Sequence, residues 1–220
     1  MKAIILMSGG IDSTVTLALA LDKGYDCLAL SFDYGQRHLI ELTSARAICK
    51  HYDVPHHTIK IDPSAFGMSS LVEKDSPMPK ERSLKEISEG GIPNTYVPAR
   101  NTIFLSFALG QAEIFNADEI HFGMNAHDIS AYPDCRPEYI NAFQSLIDVA
   151  TKQSLEKSPP KIVTPLTKMT KGDIITTGYR LAAPIELTHS CYNPTKNDLQ
   201  CGVCDACALR KEGFATAQSS

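Results

Sequence analysis

The chain has no apolar run long enough to cross a membrane and no excess of positive charge. Its longest apolar runs, at residues 3–7 and 104–110, are far shorter than the roughly 18 residues that a transmembrane helix needs. Lys and Arg number 21 against 25 Asp and Glu, giving a net charge of -4. Proteins that hold nucleic acid by counterion release carry a basic field that this chain lacks. We therefore expect no membrane span and no general duplex-binding role.

Two glycine-rich signatures of nucleotide binding are also missing. The chain contains no G-x-x-x-x-G-K-[ST], which argues against a P-loop NTPase, and no G-x-G-x-x-G, which argues against dinucleotide binding. Nothing after Lys2 resembles the apolar segment and cleavage site of a secretory signal. We therefore expect a cytoplasmic chain whose thiols stay reduced.

What the 220 residues do contain is a composition close to the soluble average, with 43% apolar and 21% charged residues. Short apolar runs alternate with helical periodicity. The pattern predicts strands at residues 2–7, 27–32, 57–61, 119–123 and 161–164, and helices from about residue 12 and over 38–52, 99–115, 139–150 and 170–181. Such alternation is typical of parallel strands joined by right-handed crossovers. We therefore expect a doubly wound, mainly parallel five-stranded α/β sheet of Rossmann-like type.

Residues 62–94 break this alternation. Nine of the eighteen residues from Glu73 to Gly90 are charged, with both signs mixed, and prolines and glycines interrupt any long helix. We expect an irregular insertion with one short helical turn near residues 83–88. The insertion is either a solvated surface excursion or a mobile lid, since long irregular loops are often functional.

The sequence Ser-Gly-Gly-Ile-Asp-Ser at residues 8–13 lies between the first strand and the first helix. Two glycines let the backbone turn tightly, and the positive end of the helix dipole points at the same place. Ser8 and Ser13 add hydroxyl donors, and Asp12 is placed either to hold Mg²⁺ or to cap the helix. The sequence predicts an anion site here; the alternative is an ordinary strand-to-helix turn.

Four of the seven cysteines have the spacing of a metal site. Cys191 is followed after nine residues by Cys201, and Cys204 and Cys207 complete a C-x-x-C-x-x-C pattern. Four thiolates close a tetrahedral zinc shell, and two-residue gaps let neighbouring ligands converge on one ion. An iron–sulfur cluster is the chemical rival, although no cysteine follows Cys207 at the expected distance. We predict one structural Zn²⁺ ion.

Polar residues follow the second and fourth strands, at residues 33–38 and 123–136. Open α/β sheets bind ligands at this edge, although turn formers are ordinary in such loops. Arg37, Arg100 and Arg136 suit phosphate or carboxylate recognition.

Two other residues of this region are weaker candidates for a catalytic role. His127 is interpreted as a loop residue and not as a general base. Cys135 has no evident histidine to activate it as a nucleophile. The sequence suggests no role for Cys27 or Cys49.

Residues 8–13 resemble the pyrophosphate-binding loop of the PP-loop, or N-type, ATP pyrophosphatases. Four further motifs resemble, in the same order, those of the QueC family of 7-cyano-7-deazaguanine synthases within that superfamily, at residues 32–38, 93–101, 132–139 and 188–192. The likeness runs from about residue 2 to residue 214. Ala99 and Ala131 depart from the family pattern, because glycine is common at both positions.

The resemblance implies an adenine nucleotide alpha hydrolase-like fold and an ATP-dependent ligase that forms a C–N bond. The carboxylate of 7-carboxy-7-deazaguanine would attack the α-phosphorus of ATP, ammonia would displace AMP to give an amide, and a second ATP would activate the amide oxygen so that its loss leaves a nitrile.

The resemblance also implies roles for individual residues. The expected catalytic residues are Asp12, Ser13 and Arg100. The residues expected to bind ATP and its Mg²⁺ are Met7, Ser8, Gly9, Gly10, Ile11, Asp12, Ser13, Thr14, Val15, Thr16, Leu17 and Arg37. Those expected to contact the deazapurine are Asn125, Asp128, Tyr132, Asp134 and Arg136.

We expect an ATP-binding domain over residues 1–183, a small helical zinc-binding segment over 184–220, and a homodimer. One alternative is a tRNA-modifying PP-loop enzyme, a thiolase or lysidine-type ligase, but no basic tRNA platform is visible. The other is a zinc-dependent nucleic-acid-binding module, for which Arg210 and Lys211 are the only basic residues from Cys201 onward. We therefore expect small-molecule partners and no direct contact with nucleic acid.

Overall fold

A five-stranded parallel sheet organises the computed structural model, which describes residues 1–73 and 75–217. Its strands are β1 (Lys2–Leu6), β2 (Asp26–Asp33), β3 (His56–Lys60), β4 (Glu119–His121) and β5 (Lys161–Val163). They lie in the order β3-β2-β1-β4-β5, and every neighbouring pair is parallel. The chain runs from β1 through β2 to the edge strand β3, and then crosses to β4, which lies on the other side of β1. The predicted doubly wound sheet is confirmed, with its switch point between β1 and β4.

Nine α-helices lie in the described residues. They are α1 (Ile11–Asp22), α2 (Ile40–His51), α3 (Leu84–Glu89), α4 (Arg100–Phe115), α5 (Ala126–Ala131), α6 (Pro137–Ala150), α7 (Lys152–Glu156), α8 (Lys171–Arg180) and α9 (Asp205–Ala217). The short α5 and α7 were not expected from the periodicity. Among the described residues, no helix combines the length and apolar character that crossing a membrane requires.

The core lies on both faces of the sheet. On one face, Ile4 of β1 packs in a cluster with Leu105 and Leu109 of α4. On the other face, Ile5 packs with Leu17 of α1 and Ile48 of α2. Successive residues of β1 therefore face opposite helical layers, because side chains alternate along a strand.

Cys27 and Cys49 belong to the second of these apolar clusters. Burial raises the pKa of the Cys27 thiol to about 12, with a smaller contribution from Asp26, and burial raises that of Cys49 to about 11. Both side chains therefore stay protonated near neutral pH and act as small apolar packing groups.

A few apolar residues of the 62–94 segment attach it to the core. Phe66, Leu71 and Met78 are buried in the cluster that covers one face of the sheet. The short helix expected near residues 83–88 is present as α3, where Ser83 Oγ accepts from the backbone N–H of Glu86. Most residues of the segment are nevertheless exposed, including the apolar residues Met68, Leu84 and Ile92, so the segment is a surface excursion that a few buried side chains attach to the core. The mobility of the segment, and the division of the chain at residue 183, stay predictions.

The expected helical character of the C-terminal segment is confirmed by α9, which packs against α8. The two helices approach closely at Gly213, where a Cβ atom would lie 2.4 Å from Lys171 Cγ and 2.9 Å from Ile175 Cδ1. Glycine at this position therefore permits the contact between the zinc-binding segment and the rest of the chain.

One departure from the family pattern leads to a stability prediction. Ala99 precedes α4 with φ of 54°, in the left-handed region. A Cβ atom there costs about 1–2 kcal/mol, partly offset by the greater freedom of an unfolded glycine. Ala99→Gly is therefore expected to raise the free energy of unfolding by about 1 kcal/mol, as measured by urea denaturation.

Ala131→Gly is the matched control, because Ala131 ends the helix α5. Glycine in a helix costs about 1 kcal/mol relative to alanine, so this variant should lose stability. A loss of stability in Ala99→Gly equal to that of the control would contradict the strain assigned to Ala99.

Candidate active site

A cavity of about 760 Å³ opens at the carboxyl ends of β1, β2 and β4. Its walls come from the β1–α1 turn, from α3, α4 and α5, and from the N-terminal parts of α8 and α9. The volume lies within the roughly 300–1,000 Å³ that is usual for small-molecule sites. Its position at the switch point is where open α/β sheets bind ligands.

The turn between β1 and α1 presents an anion-binding surface to this cavity. Gly9 has φ of 86°, and a Cβ atom there would lie 2.2 Å from the carbonyl oxygen of Glu41 in α2. Gly10 is the N-cap of α1 and makes no side-chain capping bond. The N–H groups of a helix's first turn have no partners within the helix. Together with the hydroxyls of Ser8 and Ser13, which lie 3.0 Å apart, they form a cluster of donors.

Apart from Arg37, the residues predicted to bind ATP divide into two groups. Six line the cavity, namely Met7, Ser8, Gly10, Ile11, Asp12 and Ser13. Thr14, Val15, Thr16 and Leu17 are buried along α1, and Gly9 packs against α2. The second group shapes the turn and its helix.

Arg37 lies against the 62–94 segment. Its guanidinium donates to the carbonyl oxygens of Glu73 and, at 3.0 Å, of Ser76. This contact fixes the described part of the segment near the end of β2. Binding of ATP by Arg37 stays a prediction.

Asp12 is held across the cavity by two distant segments. Each of its carboxylate oxygens accepts from Lys171 Nζ at 2.7 Å, and Oδ2 also accepts from Asn125 Nδ2 at 2.8 Å. The alternative in which Asp12 caps α1 is wrong, since Gly10 is the cap. The side chain of Asp12 is 21% exposed. It therefore offers a fixed carboxylate to the cavity, and Mg²⁺ prefers such oxygen ligands.

Lys171 was missed from the sequence although it carries a signal. It is the first residue of α8 and lies within the capping box that Thr170 and Asp173 form. A positive charge is unfavourable at a helix N-terminus. Such a lysine therefore indicates a compensating partner, here Asp12.

Asn125, His127 and Asp128 belong to the start of α5, so the interpretation of His127 as a loop residue is wrong. Asn125 caps the helix in a reciprocal box with Asp128. Burial, followed by the charge of Asp12, raises the pKa of Asp128 to about 6. Burial and the neighbouring Lys171 lower the pKa of His127. The site therefore holds a carboxyl that takes up a proton readily and an imidazole that gives one up readily.

Arg100 and Tyr132 line the same cavity. Arg100 Nη1 donates to the Tyr34 hydroxyl at 3.5 Å, and the Tyr132 hydroxyl lies 3.1 Å from Thr95 Oγ1. Burial raises the pKa values of Tyr34 and Tyr132, so both stay neutral donors near neutral pH. The cation of Arg100 is thus held at a fixed place between α4 and the end of β2.

Asp134 and Arg136 have different surroundings. The Asp134 carboxylate is buried and accepts from the backbone N–H of Asn101 at 3.3 Å, near the start of α4. Arg136 is exposed at the N-cap of α6. Contacts of these two residues with a deazapurine stay predictions.

Cys135 is a buried thiol on the edge of the cavity. Burial raises its pKa, and Asn101 Nδ2 lies 3.4 Å from its sulfur. A thiol of this kind carries little thiolate. The Cys135 thiol is therefore a weak nucleophile near neutral pH.

The four C-terminal cysteines converge as expected. The sulfur atoms of Cys191, Cys201, Cys204 and Cys207 all lie within 4.8 Å of one another. Zinc–sulfur bonds of about 2.3 Å in a tetrahedron separate the sulfurs by about 3.8 Å, so the cluster fits Zn²⁺ with a small contraction. The backbone N–H groups of Cys201 and Asn193 point at Cys191 Sγ, at 3.2 and 3.4 Å. Such bonds support a metal-bound thiolate.

The zinc-binding segment also contributes to the cavity, which the sequence did not indicate. Its lining includes His189, Asp205 and Arg210. The backbone N–H of His189 donates to the carbonyl oxygen of Gly9 at 2.9 Å. The cysteine cluster is therefore connected directly to the anion-binding turn.

Comparison with known proteins gives a consistent family. A family model described as "Queuosine biosynthesis protein QueC" matches residues 2–218. Proteins named 7-cyano-7-deazaguanine synthase from Saccharophagus degradans and Nostoc punctiforme are 49% and 50% identical to the chain. These matches cover 99% and 98% of this chain and 94% and 95% of the relatives. The solved structure of NMN synthetase from Francisella tularensis has a similar fold, with a TM-score of 0.51 at 20% identity over 93% of this chain and 69% of that one.

The raised pKa of Asp128 predicts how stability depends on pH. The folded state holds this proton up to about pH 6, whereas an ordinary aspartate loses it near 3.8. Wild-type stability should therefore fall as the pH rises through this window. Asp128→Asn cannot ionise, so its stability relative to wild type should increase by up to about 3 kcal/mol between about pH 4 and pH 7, as measured by urea denaturation.

Asp173→Asn is the control of opposite sign. Hydrogen bonds from Thr170 lower the pKa of Asp173, so its ionisation stabilises the fold as the pH rises. The variant should therefore lose stability relative to wild type over the same range. A difference between Asp128→Asn and wild type that does not change with pH would contradict the buried carboxyl.

Proposed function

The chain belongs to the QueC family of queuosine biosynthesis proteins, and from this premise we propose that it uses ATP to convert 7-carboxy-7-deazaguanine and ammonia into 7-cyano-7-deazaguanine. The observation that carries the proposal is the donor-rich turn at residues 8–13. This turn faces a cavity with room for a nucleotide and a deazapurine. In this proposal the protein is a cytoplasmic ligase that forms a C–N bond and takes free ammonia.

The anion-binding turn would receive the β- and γ-phosphates of ATP. The first-turn N–H groups of α1 and the hydroxyls of Ser8 and Ser13 then stabilise charge that develops on the departing pyrophosphate. Mg²⁺, for which Asp12 is the proposed ligand, supplies further charge neutralisation. Arg100 and Lys171 line the cavity and add positive charge near the reacting phosphate.

The same geometry serves both halves of the proposed reaction. In the first half, a carboxylate oxygen attacks the α-phosphorus, and ammonia then displaces AMP with loss of one proton to give the amide. In the second half, the amide oxygen attacks the α-phosphorus of another ATP. Departure of AMP and loss of the two remaining N–H protons leave the nitrile. Each half turns one substrate oxygen into a good leaving group.

The deazapurine would lie against α5. Asn125, Asp128 and Tyr132 line this part of the cavity and are proposed to contact the deazapurine. Asp134 is proposed to act through the N-terminus of α4, to which its carboxylate is bonded. Arg136, exposed at the N-cap of α6, is also proposed to contact the deazapurine.

A tRNA-modifying enzyme with the same loop is the alternative from the sequence. The near-complete coverage of relatives named for a small-molecule product favours the main proposal. A gel shift with tRNA at physiological salt should therefore show no retarded band. Retardation together with tRNA-dependent release of pyrophosphate would favour the alternative.

The first test concerns Asp12. Asp12→Asn keeps the side chain's size but removes the charge, so release of pyrophosphate that depends on the deazapurine acid should fall by about 100-fold or more. Asp22→Asn, at the exposed far end of the same helix, is the matched control and should retain wild-type release. Unimpaired release in Asp12→Asn would remove the basis for the assignment of the loop.

The second test concerns the proposed homodimer. Large apolar side chains are exposed on α4, α6 and α7, at Ile114, Leu146, Val149 and Leu155. These helices are adjacent, since Glu113 accepts from the backbone N–H of Gln153. We expect sedimentation velocity to give a dimer for the wild type and a monomer for Val149→Asp, because a charge there would be desolvated in an interface. A wild-type monomer at micromolar concentration would contradict the proposal.

A further inference from the structure

Residues 80–82 of the 62–94 segment pair with residues 203–205 of the zinc-binding segment. Lys80 and Cys204 form an antiparallel β-bridge, and the backbone N–H of Glu81 donates to the carbonyl oxygen of Val203 at 2.8 Å. Glu81 has φ of 56°. A residue other than glycine persists in this conformation only where its surroundings determine it. We call this pairing of 80–82 with 203–205 the clamp.

An ion pair completes the clamp. Arg82 Nε donates to Asp205 Oδ1 at 3.1 Å, and Arg82 Nη2 donates to Asp205 Oδ2. The side chains are 27% and 8% exposed. A two-bond contact of this type fixes the relative orientation of its partners, and breaking it would leave a buried carboxylate without its cation. The pair therefore resists separation of the two segments.

The clamp is continuous with the cysteine cluster. Cys204 is at once a member of that cluster and the partner of Lys80, and Asp205 is the next residue. Phe66, Leu71 and Met78 lie in the same apolar cluster as Cys191, Cys204 and Cys207. A metal that holds the four sulfurs together would therefore also hold residues 203–205, to which residues 80–82 are hydrogen-bonded.

The clamp determines where one wall of the cavity lies. Arg82 and Asp205 line the cavity, and α3, which begins two residues after Arg82, contributes Leu84, Ile87 and Ser88. Helix α3 contacts both α5 and α9. It therefore faces the deazapurine end of the cavity, which α5 lines, while the anion-binding turn lies at the N-terminus of α1, where Lys171 of α8 contacts Asp12.

We propose that Arg82 and Asp205 are positioning residues that join the 62–94 segment to the zinc-binding segment and thereby fix the deazapurine end of the cavity. The assignment of that end rests on the proposed function. The clamp itself does not, so each can fail separately.

Hydrogen exchange tests the clamp without turnover. Asp205→Asn leaves all four cysteines in place and should speed amide exchange across residues 79–93 by about tenfold, since bonds to charged groups have that order of effect. Exchange in β1 and α1 should not change, and the zinc content should stay at one ion per chain. Removal of zinc from the wild type by a chelator should speed exchange in the same residues.

Glu156→Gln is the matched control. Glu156 pairs with Lys152 on α7, where both side chains are exposed at 62% and 76%. This variant also removes one acid from an ion pair, but it should leave exchange in residues 79–93 as in the wild type. Unchanged exchange in both Asp205→Asn and the zinc-free wild type would overturn the clamp.

Steady-state kinetics test its effect on the cavity. Asp205→Asn and Arg82→Gln should each raise KM for the deazapurine acid by about tenfold, while KM for ATP and kcat change less than about twofold. Arg82→Lys, which keeps the charge, should restore part of the loss. A fall in kcat with no change in either KM value would overturn the positioning role. If the wild type makes no product, the proposed function fails and hydrogen exchange still decides the clamp.

Discussion

The ion pair between Asp12 and Lys171 is the contact on which the site depends. It joins the first turn of α1 to the first turn of α8, and Asn125 adds the start of α5. These three helix ends come from distant parts of the chain, and the parallel sheet brings them to one edge. The carboxylate of Asp12, held by Lys171 at 2.7 Å, is fixed in direction. That is what a site for a polyphosphate and its counterion requires.

The zinc-binding segment extends this arrangement to the other walls of the cavity. Its backbone reaches the anion-binding turn through His189 and Gly9, and it reaches the 62–94 segment through Asp205 and Arg82. The segment that carries the cysteine cluster therefore contributes to the shape of the cavity. Separation of Arg82 from Asp205 would leave a buried carboxylate unpaired, which favours the observed contact between the two segments.

The features that could be predicted from the sequence are those that residues close together in the chain specify. The turn at residues 8–13 and the cysteine triplet are short motifs whose geometry depends on neighbouring residues, and the strands β1 and β2 are apolar runs buried on both faces. Helix α5 was missed because its capping residue Asn125 lies among turn formers, where an Asn-x-x-Asp box is easily taken for a loop. The high charge of the 62–94 segment concealed the few apolar residues, such as Leu71 and Met78, that attach it to the core. The partnerships of Arg82 and Lys171 span long separations in sequence, 123 residues from Arg82 to Asp205 and 159 from Lys171 to Asp12, and no local pattern specifies them.

The central claim is that substrate oxygens are transferred to the α-phosphorus of ATP at the N-terminus of α1. It is tested most directly with 7-carboxy-7-deazaguanine labelled with ¹⁸O in both carboxylate positions, incubated with ATP, Mg²⁺ and ammonium, with mass analysis of every product. The account predicts unlabelled pyrophosphate, the nitrile, and two AMP per nitrile, each with one ¹⁸O atom. Label in inorganic phosphate with formation of ADP would contradict it, because the acid would then have been activated at the γ-phosphorus.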